Sequence, residues 1–168
     1  MLPPKFRSLF PLMLVAVPSF ALDQLTKWIV EQNIRRGSWY VIIDGIFNLR
    51  HDRNSGAAFG IMPGQNALLI VITIVAIGFI FFYYRQFQTN LWMRIALGFL
   101  LGGALGNFVD RLRLGEVVDF IQIGIQKAGL WWPTFNVADV CICVGAGMLI
   151  IHLLRTRGDD DASKQSND

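Results

Sequence analysis

The sequence predicts a membrane α-helical fold, with four transmembrane helices and a small β-sheet at one face of the membrane. Hydrophobic residues make up 54% of the 168 residues and charged residues 16%, and the mean hydropathy is +0.46. This composition is too apolar for an ordinary soluble domain. The apolar residues form four runs, each close to the ~20 residues that cross a hydrocarbon core of ~30 Å. Two stretches between these runs carry β-strand patterns instead.

The four apolar runs are Phe10–Val30, Ala67–Tyr84, Leu91–Val109 and Val137–Leu154. The first run follows basic residues and contains Ser19-Phe20-Ala21, which has the form of a signal-peptide cleavage site. The helical pattern continues past this tripeptide, and three further runs follow. We therefore interpret the first run as an uncleaved span.

The connections between the runs predict the topology. An even number of spans places both termini on one side, so the two long connections, about 31–66 and 110–136, emerge together on the other side. Basic residues number seven on each side, and this count alone does not choose an orientation. Those on the side of the termini flank the spans closely without nearby acids, which favours cytoplasmic termini. The net charge of +3 then fits loops that meet anionic lipid, and no nucleic-acid partner is expected.

Both long connections contain strand patterns. Residues 40–49 are rich in β-branched and aromatic side chains and are interrupted by Asp44-Gly45, a dipeptide that favours a tight hairpin turn. Within residues 116–126, isoleucines alternate with glutamines and a glycine, as in a half-buried strand. We expect the two connections to form one small sheet at the membrane face.

The domain organisation follows from the same patterns. A single integral-membrane domain is predicted over residues 1–158. Residues 159–168 are polar, which is typical of a disordered tail. With cytoplasmic termini, this tail is cytoplasmic as well.

The first and third spans contain residues that are unusual in hydrocarbon. Asp23 and Lys27 are four residues apart with the acid first, the favoured order for a helical ion pair. They are either a neutralised pair that faces protein or the interface, or a support for a polar site, and the two interpretations are compatible. Gly98, Gly102 and Gly106 repeat at four-residue spacing, which favours close contact between membrane helices.

Charged residues also mark the end of the third span. Asn107, Asp110 and Arg111 lie where the apolar run stops. They form either a charged helix end in solvent or a buried network that orients a neighbouring catalytic group.

Two aspartates, Asp119 and Asp139, lie in apolar surroundings on the same face of the membrane. A helix N-terminus favours an anion, so Asp139 is also explained by the start of the fourth span, with Asn136 as its N-cap. The alternative is a catalytic pair. Two nearby carboxyl groups share a proton, so that one activates water and the other protonates an amide.

Other chemistries have little support in the sequence. His51 and His152 are far apart, and neither HExxH nor CxxC occurs, so no metal site is expected. A phosphate-binding GxxxxGK[ST] loop is absent too. No cofactor is therefore expected.

Five ordered motifs resemble those of bacterial lipoprotein signal peptidases, also called signal peptidase II. The resemblance covers roughly residues 10–155, without a departure at a motif position. The motifs are Asp23-Gln24-Leu25-Thr26-Lys27, Arg53-Asn54-Ser55-Gly56-Ala57-Ala58-Phe59, Gly106-Asn107-Phe108-Val109-Asp110-Arg111, Gly115-Glu116-Val117-Val118-Asp119-Phe120 and Phe135-Asn136-Val137-Ala138-Asp139.

The resemblance implies an aspartic endopeptidase of the bacterial inner membrane, with both termini cytoplasmic and an extracytoplasmic β-cradle. Such enzymes remove signal peptides from prolipoproteins by cleaving before a diacylglyceryl-modified cysteine. The implied substrate reaches the site through membrane lipid, and a globomycin-type inhibitor is expected to bind there. Asp119 and Asp139 match the catalytic pair. Matches to supporting positions around the site are Asp23, Lys27, Asn54, Gly56, Asn107, Asp110, Arg111 and Asn136.

The alternative function is a non-enzymatic, proton-coupled carrier with four spans. Asp23, Lys27 and Asp139 would then form a relay. A carrier, however, places polar groups near the membrane midplane, whereas both key aspartates lie at one face.

Overall fold

The computed structural model describes residues 4–57, 61–86 and 90–165, with side chains described from residue 9 to residue 156 within these ranges. Its four α-helices are α1 (Pro4–Asn33), α2 (Asn66–Gln86), α3 (Leu91–Leu114) and α4 (Val137–Gln165). Its four strands are β1 (Trp39–Ile43), β2 (Phe47–Asn54), β3 (Val117–Ile125) and β4 (Leu130–Trp131). The membrane α-helical fold with a small sheet is therefore confirmed.

The four helices are long and apolar enough to cross a membrane. The spanning segments are Leu9–Asn33, Asn66–Gln86, Leu91–Leu114 and Val137–Thr156. Each contains the corresponding predicted run and extends it by a few residues. The helix α4 continues to Gln165 and so includes most of the predicted tail. The division of the chain at residue 158 stays a prediction, and residues 166–168 lie outside the described part.

The helix α3 is the central element, because it packs against all three other helices. At its start, Asn90 Oδ1 accepts a hydrogen bond from the Met93 amide, as an N-cap does. At its end, Gly115 has a φ of 73° and its amide bonds to the Arg111 carbonyl. This left-handed conformation favours glycine, and it turns the chain directly from α3 into β3.

The glycines of α3 allow α1 to approach closely, as their spacing predicts. A Cβ atom on Gly102 would lie 2.7 Å from the Ala16 carbonyl oxygen and 2.7 Å from Ser19 Cβ. On Gly98 it would lie 2.8 Å from Val15 Cβ. Backbone contact of this kind is how helices associate in lipid, where apolar burial gives no driving force.

Replacing Gly102 by Ala is expected to lower the free energy of unfolding by about 1–3 kcal/mol, because the added methyl group separates two packed helices. The measurement is unfolding of the purified protein in mixed micelles with increasing denaturing detergent. Gly78→Ala in α2 is the matched control, since a Cβ atom there meets nothing within 4 Å. Equal stability of the two variants would contradict the close contact.

The sheet joins the two long connections, as predicted. The strands β1 and β2 form an antiparallel hairpin whose turn contains Gly45 with a φ of 71°. The strand β2 then pairs antiparallel with β3, with Asp52 opposite Asp119. The short strand β4, which the sequence pattern did not predict, adds to the other edge of β3. Two loops that are distant in sequence are thereby fixed to one another beneath the ends of the helices.

Candidate active site

A buried charge cluster connects α1 to the end of α3. Lys27 Nζ lies 2.9 Å from Asp23 Oδ2 and 3.0 Å from Asp110 Oδ2, and all three side chains are at most 1% exposed. The predicted ion pair of Asp23 and Lys27 is thus confirmed, and it faces protein. Asp110 is the second partner of Lys27, whereas its neighbour Arg111 points elsewhere. Of the two interpretations of this helix end, the structure supports the buried network, because Asp110 is 0% exposed and the charges of Asp110 and Arg111 still interact.

The carboxylates of this cluster also hold backbone groups. Asp23 Oδ1 accepts a hydrogen bond of 2.8 Å from the Ala138 amide in the first turn of α4. Asp110 Oδ2 accepts one of 3.1 Å from the Val118 amide in β3. The buried charges therefore fix the start of α4 and the start of β3 relative to α1, and these are the two segments that carry Asp139 and Asp119.

Asn107 links the charge cluster to Asp139. Its Oδ1 atom accepts from Lys27 Nζ at 2.9 Å, and its Nδ2 atom donates to Asp139 Oδ1 at 2.8 Å. Because the lysine ammonium can only donate, the oxygen of the Asn107 amide must face Lys27, and its nitrogen therefore faces Asp139. Lys27 therefore orients the donor that meets the carboxylate.

Asn136 joins the two aspartates. Its Oδ1 atom accepts from the Asp139 amide at 3.0 Å, while Asp139 Oδ2 accepts from the Asn136 amide at 3.3 Å. This reciprocal arrangement has the form of a capping box at the start of α4. The Nδ2 atom of Asn136 donates to Asp119 Oδ1 at 2.6 Å. The predicted N-cap and the polar link between the aspartates are thus the same side chain.

A short loop after β2 closes the other side of Asp119. Asn54 Nδ2 donates to Asp119 Oδ2 at 3.1 Å, and Asn54 Oδ1 accepts from the Gly56 amide at 2.9 Å. The Gly56 carbonyl in turn accepts from Arg111 Nη2 at 3.1 Å. The guanidinium of Arg111 also interacts electrostatically with Asp139 and Asp119. The last residues of this motif, Ala58 and Phe59, lie outside the described residues.

Burial, and after it the negative charge of Asp139, raises the pKa of the Asp119 carboxyl from its ordinary value of 3.8 to about 7. The hydrogen bonds from Asn54 and Asn136 act in the opposite direction without cancelling the rise. The Asp119 residue is only 2% exposed. Removal of a carboxyl group from water disfavours its charged form, so Asp119 holds a proton at pH values where most aspartates are ionised.

Asp119 and Asp139 both line a cavity of about 860 Å³. Its walls are mostly apolar side chains of α2, α3 and α4, together with the loop before α4. Several of these wall residues are largely exposed and lie on the spanning segments, including Ile72, Phe79 and Val144. The cavity therefore brings a polar pair to the end of an apolar space within reach of lipid.

The ten residues that the sequence singled out form one continuous network, and the structure brings all of them together. Three further members were not predicted as site residues, although Gln24 lies within one of the quoted motifs. Gln24 donates to Asp110 Oδ1 at 3.2 Å and to the Gly106 carbonyl at 3.1 Å, and Glu31 binds both Arg53 and Arg113 at 2.7 Å. Asn66 Nδ2 donates to the Arg111 carbonyl at 3.2 Å. A polar residue within or at the edge of an apolar run was the available signal for each.

Among the side chains that the structure describes, which lie between residues 9 and 156, no three from His, Cys, Asp and Glu come together as a group that could hold a metal ion.

Comparison with known proteins decides the family. The model of the family described as signal peptidase (SPase) II matches residues 15–155. The chain belongs to this family. A lipoprotein signal peptidase of Bacillus pumilus is 42% identical over 142 residues, which cover 84% of this chain and 90% of the relative. A lipoprotein signal peptidase of Bacillus subtilis is 42% identical over 146 residues, with coverages of 86% and 94%.

Two solved structures share the fold of this signal peptidase II. One is a bacterial membrane enzyme determined by the in meso method at 2.3 Å resolution, with a TM-score of 0.82, 36% identity, and coverage of 88% of this chain and 90% of that one. The other, at 1.9 Å resolution, has a TM-score of 0.75 and 38% identity, with coverages of 85% and 92%. The predicted resemblance is confirmed, the chain is a protease of a bacterial membrane, and none of these relatives supports the carrier.

Proposed function

We propose that Asp119 and Asp139 are the catalytic pair of an aspartic endopeptidase, which removes signal peptides from prolipoproteins by cleaving before the diacylglyceryl-modified cysteine. The observation that carries this proposal is the link from Asp119 through Asn136 to Asp139 at the end of the apolar cavity. A signal-peptide helix and two acyl chains suit that cavity, and they reach it laterally through lipid.

The proposed roles follow from the surroundings of each carboxyl group. Asp119, with its raised pKa, holds the proton and donates it to the carbonyl oxygen as water attacks. When the tetrahedral intermediate collapses, that proton returns to Asp119, and the leaving nitrogen takes the proton that Asp139 has removed from the water. Asp139 lies at the start of α4, near Arg111, where the helix dipole and the guanidinium both favour a negative charge. It removes a proton from the attacking water. A matched acid and base of this kind contribute roughly 10²–10⁴-fold each to a rate.

The supporting residues orient this pair. Asn54, Asn107 and Asn136 each donate a hydrogen bond to one of the two carboxylates. Gly56 and Arg111 fix the loop that carries Asn54. Asp23, Lys27 and Asp110 are hydrogen-bonded to the pair through Asn107 and the backbone of α4 and β3, and the charge of Lys27 also acts on Asp119, so we assign them a positioning role.

The proposed orientation places the termini, with the tail of residues 159–168, in the cytoplasm. The sheet and the aspartate pair then lie near the extracytoplasmic face of the inner membrane. There the scissile bond meets water while the acyl chains stay in lipid. A globomycin-type cyclic peptide is expected to block the enzyme by occupying the cavity beside the pair.

The rate of cleavage is expected to depend on pH through Asp119. If Asp119 must be protonated, kcat/KM falls as pH rises through about 7, by about tenfold per pH unit beyond it. Because the pair titrates as a unit, the profile reports the pair and not an isolated group. The measurement is kcat/KM from pH 5 to pH 9, with the folded fraction checked at each pH. A flat profile between pH 6 and pH 9 would contradict the assignment of the proton.

The function itself is tested with a purified diacylglyceryl-prolipoprotein and the purified protein in detergent. Cleavage directly before the modified cysteine, confirmed by mass spectrometry of both products, is the expected result. The matched substrate is the same precursor without the diacylglyceryl group, which is expected to be cut far more slowly. Equal cleavage of both precursors, or of neither, contradicts the proposed substrate.

A further inference from the structure

A second cavity, which we call the polar cleft, lies next to the catalytic pair. It has a volume of about 550 Å³ and is lined by residues 36–37, 51–56, 63, 119 and 133–134. Unlike the apolar cavity, it is bordered by charged and polar side chains, among them Arg36, Asp52 and Arg53. The proposed function assigns nothing to it.

The polar cleft and the apolar cavity meet at Asp119. Four residues line both spaces: Asn54, Asp119, Pro133 and Thr134. Asp139, in contrast, lines only the apolar cavity. A peptide bond held at Asp119 therefore has the apolar cavity on one side and the polar cleft on the other. The substrate chain before the bond enters one of these spaces, and the chain after it enters the other.

The two spaces differ in what they can bind. The apolar cavity suits a signal-peptide helix and acyl chains, whereas a polar segment would have to leave its backbone groups unpaired there, which is costly. The polar cleft offers charged groups at its rim, and the Nε atom of Arg53 is buried without a hydrogen-bond partner within the described part of the chain.

We propose that the polar cleft binds the mature segment of the substrate, the few residues that follow the modified cysteine, and selects among substrates by the charge of that segment. This inference rests on the proposed function and adds to it a second binding site, on the other side of the scissile bond.

Two side chains of opposite charge give the cleft its selectivity. Arg36 is 64% exposed and lies 2.8 Å from the partly exposed Glu116. Asp52 is 26% exposed, pairs with Arg50 at 2.9 Å, and is opposite Asp119 in the sheet. Both are accessible to a peptide, so each attracts an oppositely charged residue of the mature segment and repels a like-charged one.

The test compares two diacylglyceryl-prolipoproteins that differ only in the second and third mature residues, which are Asp in one and Lys in the other. The quantity is the ratio of kcat/KM for the Lys substrate to kcat/KM for the Asp substrate. In Arg36→Glu, this ratio is expected to rise about fivefold to tenfold, which is the range that a reversed, solvent-exposed charge gives. In Asp52→Asn, it is expected to fall about twofold to threefold for the same reason.

Arg35→Glu is the matched control, since Arg35 is exposed but does not line the cleft. Its ratio is expected to equal that of the wild type. General damage to the fold would lower kcat/KM for both substrates alike and leave the ratio unchanged. Shifts of the ratio in opposite directions in the two cleft variants therefore indicate a local effect of charge. The shifts should also shrink at 0.5 M salt, because exposed charges are screened.

An unchanged ratio in both cleft variants overturns the inference and leaves the proposed function intact, as does a shift in Arg35→Glu as large as in Arg36→Glu. Failure of the wild type to cut either substrate contradicts the proposed function instead.

Discussion

Replacing either Asp119 or Asp139 by Asn is expected to lower kcat for prolipoprotein cleavage roughly a thousandfold, with the protein still folded. An amide can neither donate a proton, as proposed for Asp119, nor remove one from water, as proposed for Asp139, and each role contributes about 10²–10⁴-fold. The two variants should lose similar amounts, and the double variant little more than either, because the residues act as a unit. The measurement is single-turnover cleavage of a purified diacylglyceryl-prolipoprotein.

The matched control for these variants is Asp44→Asn, an identical change at an exposed position in the turn between β1 and β2. It should cleave at the rate of the wild type. A folded Asp119→Asn or Asp139→Asn variant that keeps more than a tenth of that rate would refute the catalytic pair.

The free energy of unfolding of Asp119→Asn is expected to differ from that of the wild type in its dependence on pH. The pKa of Asp119 is about 7 in the folded protein against an ordinary 3.8, so the folded state binds the proton more tightly. Below pH 3.8 the buried carboxyl is protonated in both states and does not lower the free energy of unfolding. The loss of stability grows as pH rises and reaches its full value above about pH 7. At ~1.4 kcal/mol per pH unit this amounts to about 4 kcal/mol. As pH rises from 4 to 8, the free energy of unfolding of the wild type should therefore fall by about that amount relative to that of Asp119→Asn, which lacks the titrating group.

The second large effect is expected at Lys27. Among the described residues, Lys27 is the one cation that lies within 4 Å of both Asp23 and Asp110, whose carboxylates are fully buried. Replacing it by Met leaves Asp110 with only the half-exposed Arg113, at 3.9 Å. Breaking a buried ion pair costs about 3–5 kcal/mol, because a charge is left without compensation. The measurement is unfolding of the variant in mixed micelles, where its transition should shift by that amount.

Lys127→Met is the control for this change, since Lys127 is exposed in the loop between β3 and β4. Its stability should match that of the wild type. If Lys27→Met is as stable as Lys127→Met, then the ion pairs of Lys27 with Asp23 and Asp110 do not stabilise the fold as their distances imply.

Features that depend on neighbours in the sequence were predictable. The spans follow from the length of the apolar runs, the hairpin from Asp44-Gly45, and the ion pair of Asp23 and Lys27 from one turn of helix. The glycines of α3 marked its contact with α1. Each of these signals is local, and each is confirmed by the fold.

Features that depend on packing between distant elements were not predictable from the pattern. Asp110 binds Lys27, which is 83 residues away in the sequence. It does not bind its neighbour Arg111, because consecutive residues of a helix point in different directions. The strand β4 is two residues long, too short for any period to show. The family resemblance predicted ten site residues, but neither their order in the network nor the division of the space around Asp119 into two cavities.

The capping box at Asn136 has a consequence for the entropy of the reaction. The bonds that begin α4 also hold the Asp139 side chain, since the Asn136 amide donates to its carboxylate and Asn107 holds the other oxygen. The rotational freedom of this carboxylate is therefore lost when the helix forms, and not when substrate arrives. Groups positioned in advance in this way lower the entropic part of an activation barrier. The same helix start is thus both a structural element and the reason that the proposed base is already in place.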